Sequence, residues 1–347
     1  MNTQPGYIAY FDLLGTTELA QNDHTAFFNS LVTFRNTITY CAKDLKVQDG
    51  IYFFSDCAFV ETDDFDRLIK YLFELRRRML EEGYYLVGAI GPGSLEATGP
   101  FPKQKQGRES RSRKASRAEN STDPVDHRRE IVHGHFFSSD VVPVYALQNQ
   151  LKGIGFCLHP KLLDLGRQKK FIVESCHLPA NDNRIPQSFP DLRLTAQELS
   201  YDLLSKFLKY FYRAKLKSKK YARYYISFLV TALQSIDFGG VDTKKSYKDQ
   251  GYAILEILFG PRFDKNFGDV PGVEFVYFTL LDRAYDSDNQ ALVSKVLGLI
   301  SARRRTILQL EFCPYSLLTR ENRSKLLDYL SSHLSSAPTA GTAPPAA

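Results

Sequence analysis

The chain has 347 residues, of which 43% are hydrophobic, so it can bury a substantial core in one large domain or in two. Its net charge of +6 favours anionic ligands such as nucleotides or nucleic acid but is too small to identify either. No stretch reaches about 18 uninterrupted apolar residues, and no basic segment precedes the first apolar run, so we expect neither a membrane span nor a signal peptide. Five scattered cysteines, an odd number without a CxxC pair, indicate reduced thiols and a cytoplasmic protein.

Hydrophobic periodicity predicts a regular series of elements in the N-terminal part of the chain. They are, in order, a strand (YIAYFDLLG), a helix (TAFFNSLVTFRNTITYCAKDL), a hairpin (GIYFFSDCAFVET), a helix (DDFDRLIKYLFELRRRMLEEG) and a strand (YYLVGAIGPGSL). Gly15 ends the first strand, and an acidic start and Gly83 cap the second helix. This order forms most of a ferredoxin-like βαββαβ core.

More strands and one helix are predicted beyond this core. HGHFFSSDVVPVYALQNQL predicts a strand and a helix, GIGFCLHP a strand, and KKFIVESCHL an edge strand. We therefore expect residues 1–180 to form one α+β domain. A polar insertion rich in Lys and Arg interrupts this domain at 98–130, and we expect it to be disordered.

The pattern changes near residue 195. Residues 195–335 predict an all-α C-terminal region, and 336–347 predict a disordered, low-complexity tail. Within the helical region, KFLKYFYRAKLKSKKYARYY alternates basic and aromatic residues. This alternation suits an amphipathic helix with its aromatics in the core, or binding to single-stranded nucleic acid. We favour the amphipathic helix and expect no nucleic-acid partner.

Two aspartates carry the functional hypothesis. Asp12 stands near the end of the first strand, and Asp56 stands at the turn of the hairpin. In a ferredoxin-like core the first strand and the hairpin are neighbours, so both carboxylates can converge at one edge of the sheet. Paired carboxylates with a nearby main-chain carbonyl suit Mg²⁺ or Mn²⁺, which prefer oxygen ligands. Each aspartate alone is better explained as a turn residue, but the pair favours a metal site.

At these residues the sequence resembles the class III nucleotide cyclase superfamily. YFDLLGTT is similar to the signature F-x-D-[IL]-x-G-[FT]-T, and FFSDCAF to the cyclase hairpin, with Ser55-Asp56 in place of Gly-Asp. LVGAIGPGSL resembles the strand R-x-G-I-x-x-G, and VVPVYALQNQLKGIGFCLHP resembles the helix and strand that follow. The resemblance covers roughly residues 5–165. Within the superfamily it looks most like the pyrimidine nucleotide cyclases of bacterial Pycsar anti-phage defence.

The resemblance implies a class III cyclase catalytic core that converts UTP or CTP to the 3′,5′-cyclic monophosphate and pyrophosphate. The cyclic product would be a second messenger that activates a separate effector in anti-phage defence. Two Mn²⁺ or Mg²⁺ ions per site are implied, held by Asp12, Asp56 and the main-chain carbonyl of Leu13. A homodimer with composite active sites is also implied, since base-reading groups in the superfamily come from the partner subunit.

The same resemblance implies further substrate contacts. Tyr10 stands at the aromatic position of the first signature, and Gly15 and Thr16 belong to a segment whose main-chain N–H groups can cradle phosphates. On the helix VYALQNQLK, the polar candidates for binding substrate are Tyr145, Gln148, Asn149 and Lys152.

Three positions depart from the superfamily pattern. Val144 stands at the usual Asn position, Gln148 at the usual Arg position of the same helix, and Val87 at the Arg position before GAI. These departures motivate an alternative function, a catalytically degenerate cyclase fold that binds a nucleotide or acts as a dimerisation module.

Two other groups of residues are weaker candidates for a site. The pair His133 and His135 has no third metal ligand at a recognisable spacing. Cys57 has no His or basic partner at a telling spacing, so we expect it to be a small core residue rather than a nucleophile.

Overall fold

The computed structural model describes most of the predicted α+β domain and much of the helical region. The described residues are 6–45, 50–94, 140–179, 187–217, 219–236, 238, 250–260, 263, 266–270, 272–302 and 320–334. The predicted insertion at 98–130 and the predicted tail at 336–347 lie outside these residues, as do His133 and His135.

Strands and helices alternate through the first part of the chain and helices follow. The strands are β1 (Tyr7–Leu13), β2 (Ile51–Phe54), β3 (Cys57–Thr62), β4 (Leu86–Pro92), β5 (Leu151–Lys152), β6 (Gly155–Leu158), β7 (Ile172–Pro179) and β8 (Gln187–Leu192). The helices are α1 (Thr16–Asn22), α2 (His24–Leu45), α3 (Phe65–Glu81), α4 (Val141–Gln150), α5 (Leu163–Gln168), α6 (Tyr201–Lys217), α7 (Lys219–Ser235), α8 (Gln250–Phe259), α9 (Val273–Asp286), α10 (Gln290–Ala302) and α11 (Arg320–Leu334).

The strands of the described ranges form one sheet in the order β2-β3-β1-β4-β6-β8-β7-β5. Strand β1 lies between β3 and β4 and is antiparallel to both. Strand β6 runs parallel to β4, and the connection between them contains α4. The predicted mixed α+β class is therefore confirmed. Strand β7, predicted as an edge strand, lies between β8 and β5, and β8 itself was not predicted.

Helices α2 and α3 close one face of this sheet. Ala9, Phe11 and Leu13 alternate along β1 and are buried against these helices, because successive side chains of a strand point to opposite faces. Helix α3 begins at the N-cap Asp64, whose carboxylate accepts a hydrogen bond from the main-chain N–H of Arg67 over 3.0 Å. The other face of β1 is left for Tyr10 and Asp12.

The helical region packs into a second core that also includes three buried residues of the α+β part, Leu80, Tyr85 and Ile154. A buried ion pair joins the two parts, with Arg76 Nε of α3 lying 2.5 Å from Glu198 Oε1. Within the described residues, helices and turns but no strand follow Leu192, and no helix is long and apolar enough to cross a bilayer.

The aromatic residues of α6 divide between the core and the surface. Phe207 and Phe211 are buried in the helical core, whereas Tyr201 and Tyr212 are exposed. The favoured interpretation of the basic and aromatic alternation, an amphipathic helix, agrees with the buried pair.

Candidate active site

Strand β1 places Asp12 on the face of the sheet opposite the α2–α3 core. Asp12 and Tyr10 are two residues apart, so their side chains share this face. Asp12 lies opposite Cys57 on β3 and opposite Val87 on β4. The end of β1 therefore holds a carboxylate between two neighbouring strands.

The turn between β2 and β3 brings Asp56 to the same place. The turn consists of Ser55 and Asp56, and Ser55 has a left-handed backbone with φ of 53°. The main-chain N–H of Leu13 donates to the main-chain carbonyl oxygen of Asp56 over 3.0 Å. The structure thus brings together the two segments that carry Asp12 and Asp56.

Asp12 is held at an electrostatic cost. Its Oδ1 atom is buried and has no hydrogen-bond partner among the described residues. Burial and, second, the charge of Asp56 raise the pKa of Asp12 from 3.8 to about 7, while a main-chain hydrogen bond at Leu13 opposes both. Buried carboxylate oxygens normally have a donor, so this oxygen points to a ligand such as a cation.

Asp56, in contrast, has a fixed partner. The Thr16 hydroxyl donates a hydrogen bond to Asp56 Oδ2 from the first residue of α1, where Thr16 is 5% exposed. Gly15 precedes it with φ of 87°, and a Cβ there would meet no atom within 4 Å. Backbone conformation rather than crowding therefore favours glycine at this position. Thr16, predicted to bind substrate, contacts the Asp56 carboxylate.

The carboxylate oxygens of Asp12 and Asp56 fit a hard divalent cation that takes its remaining ligands from its surroundings. The two carboxylates supply oxygen atoms, which Mg²⁺ and Mn²⁺ prefer. Within the described ranges, no group of three or more His, Cys, Asp or Glu side chains is arranged to hold a metal. The side chain of Leu13 is buried in the α2–α3 core, so only its main chain can contribute a ligand.

Helix α4 covers the site face of β1. Val144 is buried in this helix, and its Cγ2 would lie 2.4 Å from a Cβ added to Gly91 of β4. Tyr145 is 48% exposed, and its ring centroid lies 5.3 Å from that of Tyr10. Val144 is thus a core residue, and its neighbour Tyr145 reaches the site face.

The polar candidates of α4 differ in their surroundings. Tyr145 and Asn149 are exposed and one turn apart on the same face, and Gln148 is half-buried. Because α4 returns the chain from the end of β4 to the start of the parallel β6, Asn149 lies nearer than Tyr145 to the end of the sheet that carries Asp12. The side chain of Lys152 lies outside the described part of the structure.

Cys57 and Val87 flank Asp12 on the neighbouring strands. The Cys57 thiol donates to the carbonyl oxygen of Phe54 over 3.1 Å. Burial raises the pKa of Cys57 to about 11, so the group is a thiol at neutral pH. The expectation of a small core residue rather than a nucleophile agrees with this environment, since Cys57 is half-buried and packs against the cluster of Tyr10, Ala89 and Val144.

No protein-family profile and no curated protein matches the chain. Among solved structures, the adenylyl cyclase CyaB from P. aeruginosa is similar at 14% identity, with 55% of this chain and 95% of that chain covered and a TM-score of 0.35. An adenylate cyclase from Trypanosoma brucei is similar at 8% identity, with 56% and 90% covered and a TM-score of 0.36. The catalytic core of a rhodopsin-guanylyl cyclase with converted specificity is similar at 11% identity, with 55% and 97% covered and a TM-score of 0.35. These values are too low to carry a functional conclusion.

Proposed function

We propose that this chain is a nucleotidyl cyclase that converts UTP or CTP to the 3′,5′-cyclic monophosphate and pyrophosphate, as the source of a second messenger in anti-phage defence. One observation carries the proposal: Asp12, beside Asp56, has a buried carboxylate oxygen that no described residue partners. The cyclase-like motifs around both residues give this pair its chemical interpretation. The pyrimidine base and the defence role rest on the resemblance to Pycsar cyclases.

Asp12, Asp56 and the main-chain carbonyl of Leu13 are the proposed ligands of two Mn²⁺ or Mg²⁺ ions. When bound, such ions lower the pKa of a ribose 3′-hydroxyl and neutralise charge that develops at phosphorus. In the reaction the 3′-hydroxyl loses its proton to solvent, its oxygen bonds to the α-phosphorus, and the bond from this phosphorus to the bridging oxygen breaks to release pyrophosphate. Asp12 has to be ionised to bind a cation, so we expect its raised pKa to make binding pH-dependent.

The segment after Asp12 is our candidate for holding the triphosphate. The main-chain N–H groups of Leu13 and Leu14 donate to Asp56 and Tyr85, so they are engaged within the protein. Of the predicted cradle LLGTT, the following residues are left as the proposed phosphate contacts: Gly15, Thr16 and Thr17. Thr16 has a second role, since its hydroxyl orients the Asp56 carboxylate.

Tyr145 and Asn149 are the proposed base-contacting residues in a homodimer with composite sites. Both are exposed on one face of α4, and Tyr145 packs against Tyr10 on the strand that carries Asp12. Gln148 is a weaker candidate because it is half-buried. A tyrosine and an amide offer stacking and both hydrogen-bonding polarities to a base.

The decisive experiment incubates the chain with each of the four NTPs and Mn²⁺ and identifies the products. We expect a cyclic pyrimidine nucleotide from the wild type and none from Asp12→Ala or Asp56→Ala. Asp63→Ala is the matched control, because Asp63 is an exposed carboxylate just beyond β3 and should keep full activity. Full activity in either site variant, or equal loss in the control, would sink the mechanism.

A second function is favoured by the apolar residues at two superfamily positions. Val144 and Val87 are buried and offer no hydrogen bond where relatives have Asn and Arg. A cyclase-like module without these groups would bind a nucleotide, or dimerise, without turnover. Saturable nucleotide binding with no product from any of the four NTPs would favour this alternative.

A further inference from the structure

The loop that follows Asp12 is supported from behind by the helical region. We call residues 13–16 the site loop. The main-chain N–H of Leu14 donates to the carbonyl oxygen of Tyr85 over 2.9 Å, and the Leu14 side chain packs against the helical core. The site loop therefore lies between the two carboxylates on one side and the helical core on the other.

Tyr85 is the residue through which the helices reach this loop. Its side chain is 4% exposed, and its ring packs edge-to-face against those of three residues of α6 and α7. The centroid distances are 5.1 Å to Tyr225, 5.7 Å to Phe207 and 5.9 Å to Tyr210. A tyrosine whose main chain binds the loop and whose ring sits among the helices couples the two mechanically.

Helix α7 also contacts the sheet next to the site. The main-chain N–H of Ile154 donates to Ser227 Oγ over 2.7 Å and to the carbonyl oxygen of Tyr224 over 3.2 Å. Ile154 precedes Gly155, which pairs with Val87, the β4 neighbour of Asp12. One turn of α7 thus touches both the support of the site loop and the strand beside the site.

We infer that helix α7 is a positioning element of the proposed active site, with Tyr225 acting through Tyr85 on the site loop. The inference rests on the proposed function and adds a means of regulating the same site. Any partner or ligand that displaces α7 from Tyr85 would shift Leu14, and with it the flanking residues Leu13 and Thr16, which bind Asp56. The helical region is then part of the catalytic apparatus rather than an appended domain.

The test compares three single variants of the full chain by amide hydrogen exchange and by Mn²⁺ titration. Tyr225→Leu removes one edge-to-face contact, so we expect the amide hydrogens of the peptide that contains Leu14 to exchange about tenfold faster. We also expect Mn²⁺ to bind more weakly to this variant. Tyr225→Phe keeps the ring and should behave as the wild type. Tyr277→Leu is the matched control, because Tyr277 is buried in the same core but belongs to α9.

Each result decides for or against the coupling. Wild-type exchange at Leu14 in Tyr225→Leu would overturn the inference, as would an equal increase in Tyr277→Leu. Faster exchange with unchanged Mn²⁺ binding and unchanged turnover would also overturn it. If the wild type makes no cyclic nucleotide, the proposed function fails, and the exchange of the Leu14 peptide still decides whether α7 holds the site loop.

Discussion

The two faces of strand β1 differ in what they contribute. Ala9, Phe11 and Leu13 on one face are buried in an apolar core that stabilises the fold. Tyr10 and Asp12 lie on the other face, where Asp12 has a buried carboxylate oxygen with no donor in the described part of the chain. A strand built for stability alone would not place a charge there, since burying an unpaired charge opposes folding. The difference indicates that one face maintains the structure and the other serves a ligand.

The largest effect is expected on the apolar face. Phe11 is fully buried, with its ring centroid 6.1 Å from that of Phe34 and 6.0 Å from that of Phe156. Phe11→Ala removes these contacts and leaves a cavity, so we expect the free energy of unfolding to fall by about 3–5 kcal/mol. Denaturant titration measures this loss. A loss below about 1 kcal/mol would mean that the two faces do not differ as described.

Asp12→Asn tests the other face, with an effect that depends on pH. The pKa of Asp12 is about 7 in the folded chain and 3.8 ordinarily, so between these values the folded state binds more protons than the unfolded state. The proton on Asp12 therefore makes its full contribution to the free energy of unfolding below about pH 4, and this contribution is lost as pH rises through 7. Asparagine never ionises, so we expect the metal-free variant to melt above the wild type at pH 8.

The low-pH arm of that experiment is its control. Near pH 4 the wild-type carboxyl is already protonated, so the two melting temperatures should converge. Added Mn²⁺ should raise the melting temperature of the wild type at pH 8 and leave that of Asp12→Asn nearly unchanged. A variant that melts below the wild type at pH 8 without metal would contradict an electrostatic cost at Asp12.

Thr16→Val should produce a smaller and more specific loss. Valine keeps the volume but cannot donate to Asp56, so the carboxylate loses the hydrogen bond that orients it. Groups that orient metal ligands typically contribute about 10–100-fold to affinity or activity, and we expect a loss of that size in Mn²⁺ affinity. Thr16→Ser retains the hydroxyl and should retain most of the affinity. Equal losses in both variants would show that shape, not the hydrogen bond, matters here.

Local sequence patterns were sufficient to predict one part of the site. The strand pattern of β1 and the two-residue turn at Ser55 and Asp56 are readable within a few residues, and the order of the elements predicts that the two segments are neighbours. The bond from Thr16 to Asp56 spans 40 residues, and the bond from Leu14 to Tyr85 reaches the residue that precedes β4, so no local pattern contains them.

Strand β8 shows how tertiary contacts override local preference. Its segment QSFPDL contains Pro190 and Asp191, which argue against a strand. Asp191 is nevertheless fully buried, where its Oδ1 accepts from the main-chain N–H groups of Phe156 and Leu192 over 2.7 and 2.8 Å. The strand depends on these partners, and neither the partner at Phe156 nor the pairing with β7 can be read from the segment itself.

The smallest expected effect separates the turn from the carboxylate that it carries. Ser55 is exposed with φ of 53°, a conformation that costs L-residues about 1–2 kcal/mol and glycine little. Ser55→Gly should therefore raise the free energy of unfolding by about 0.5–1 kcal/mol after the greater unfolded-state freedom of glycine is subtracted. Lys170→Gly is the matched control, because Lys170 has φ of 56° at an exposed position away from the site. Similar gains in both, with unchanged Mn²⁺ affinity in Ser55→Gly, would mean that this turn needs only a left-handed residue before Asp56.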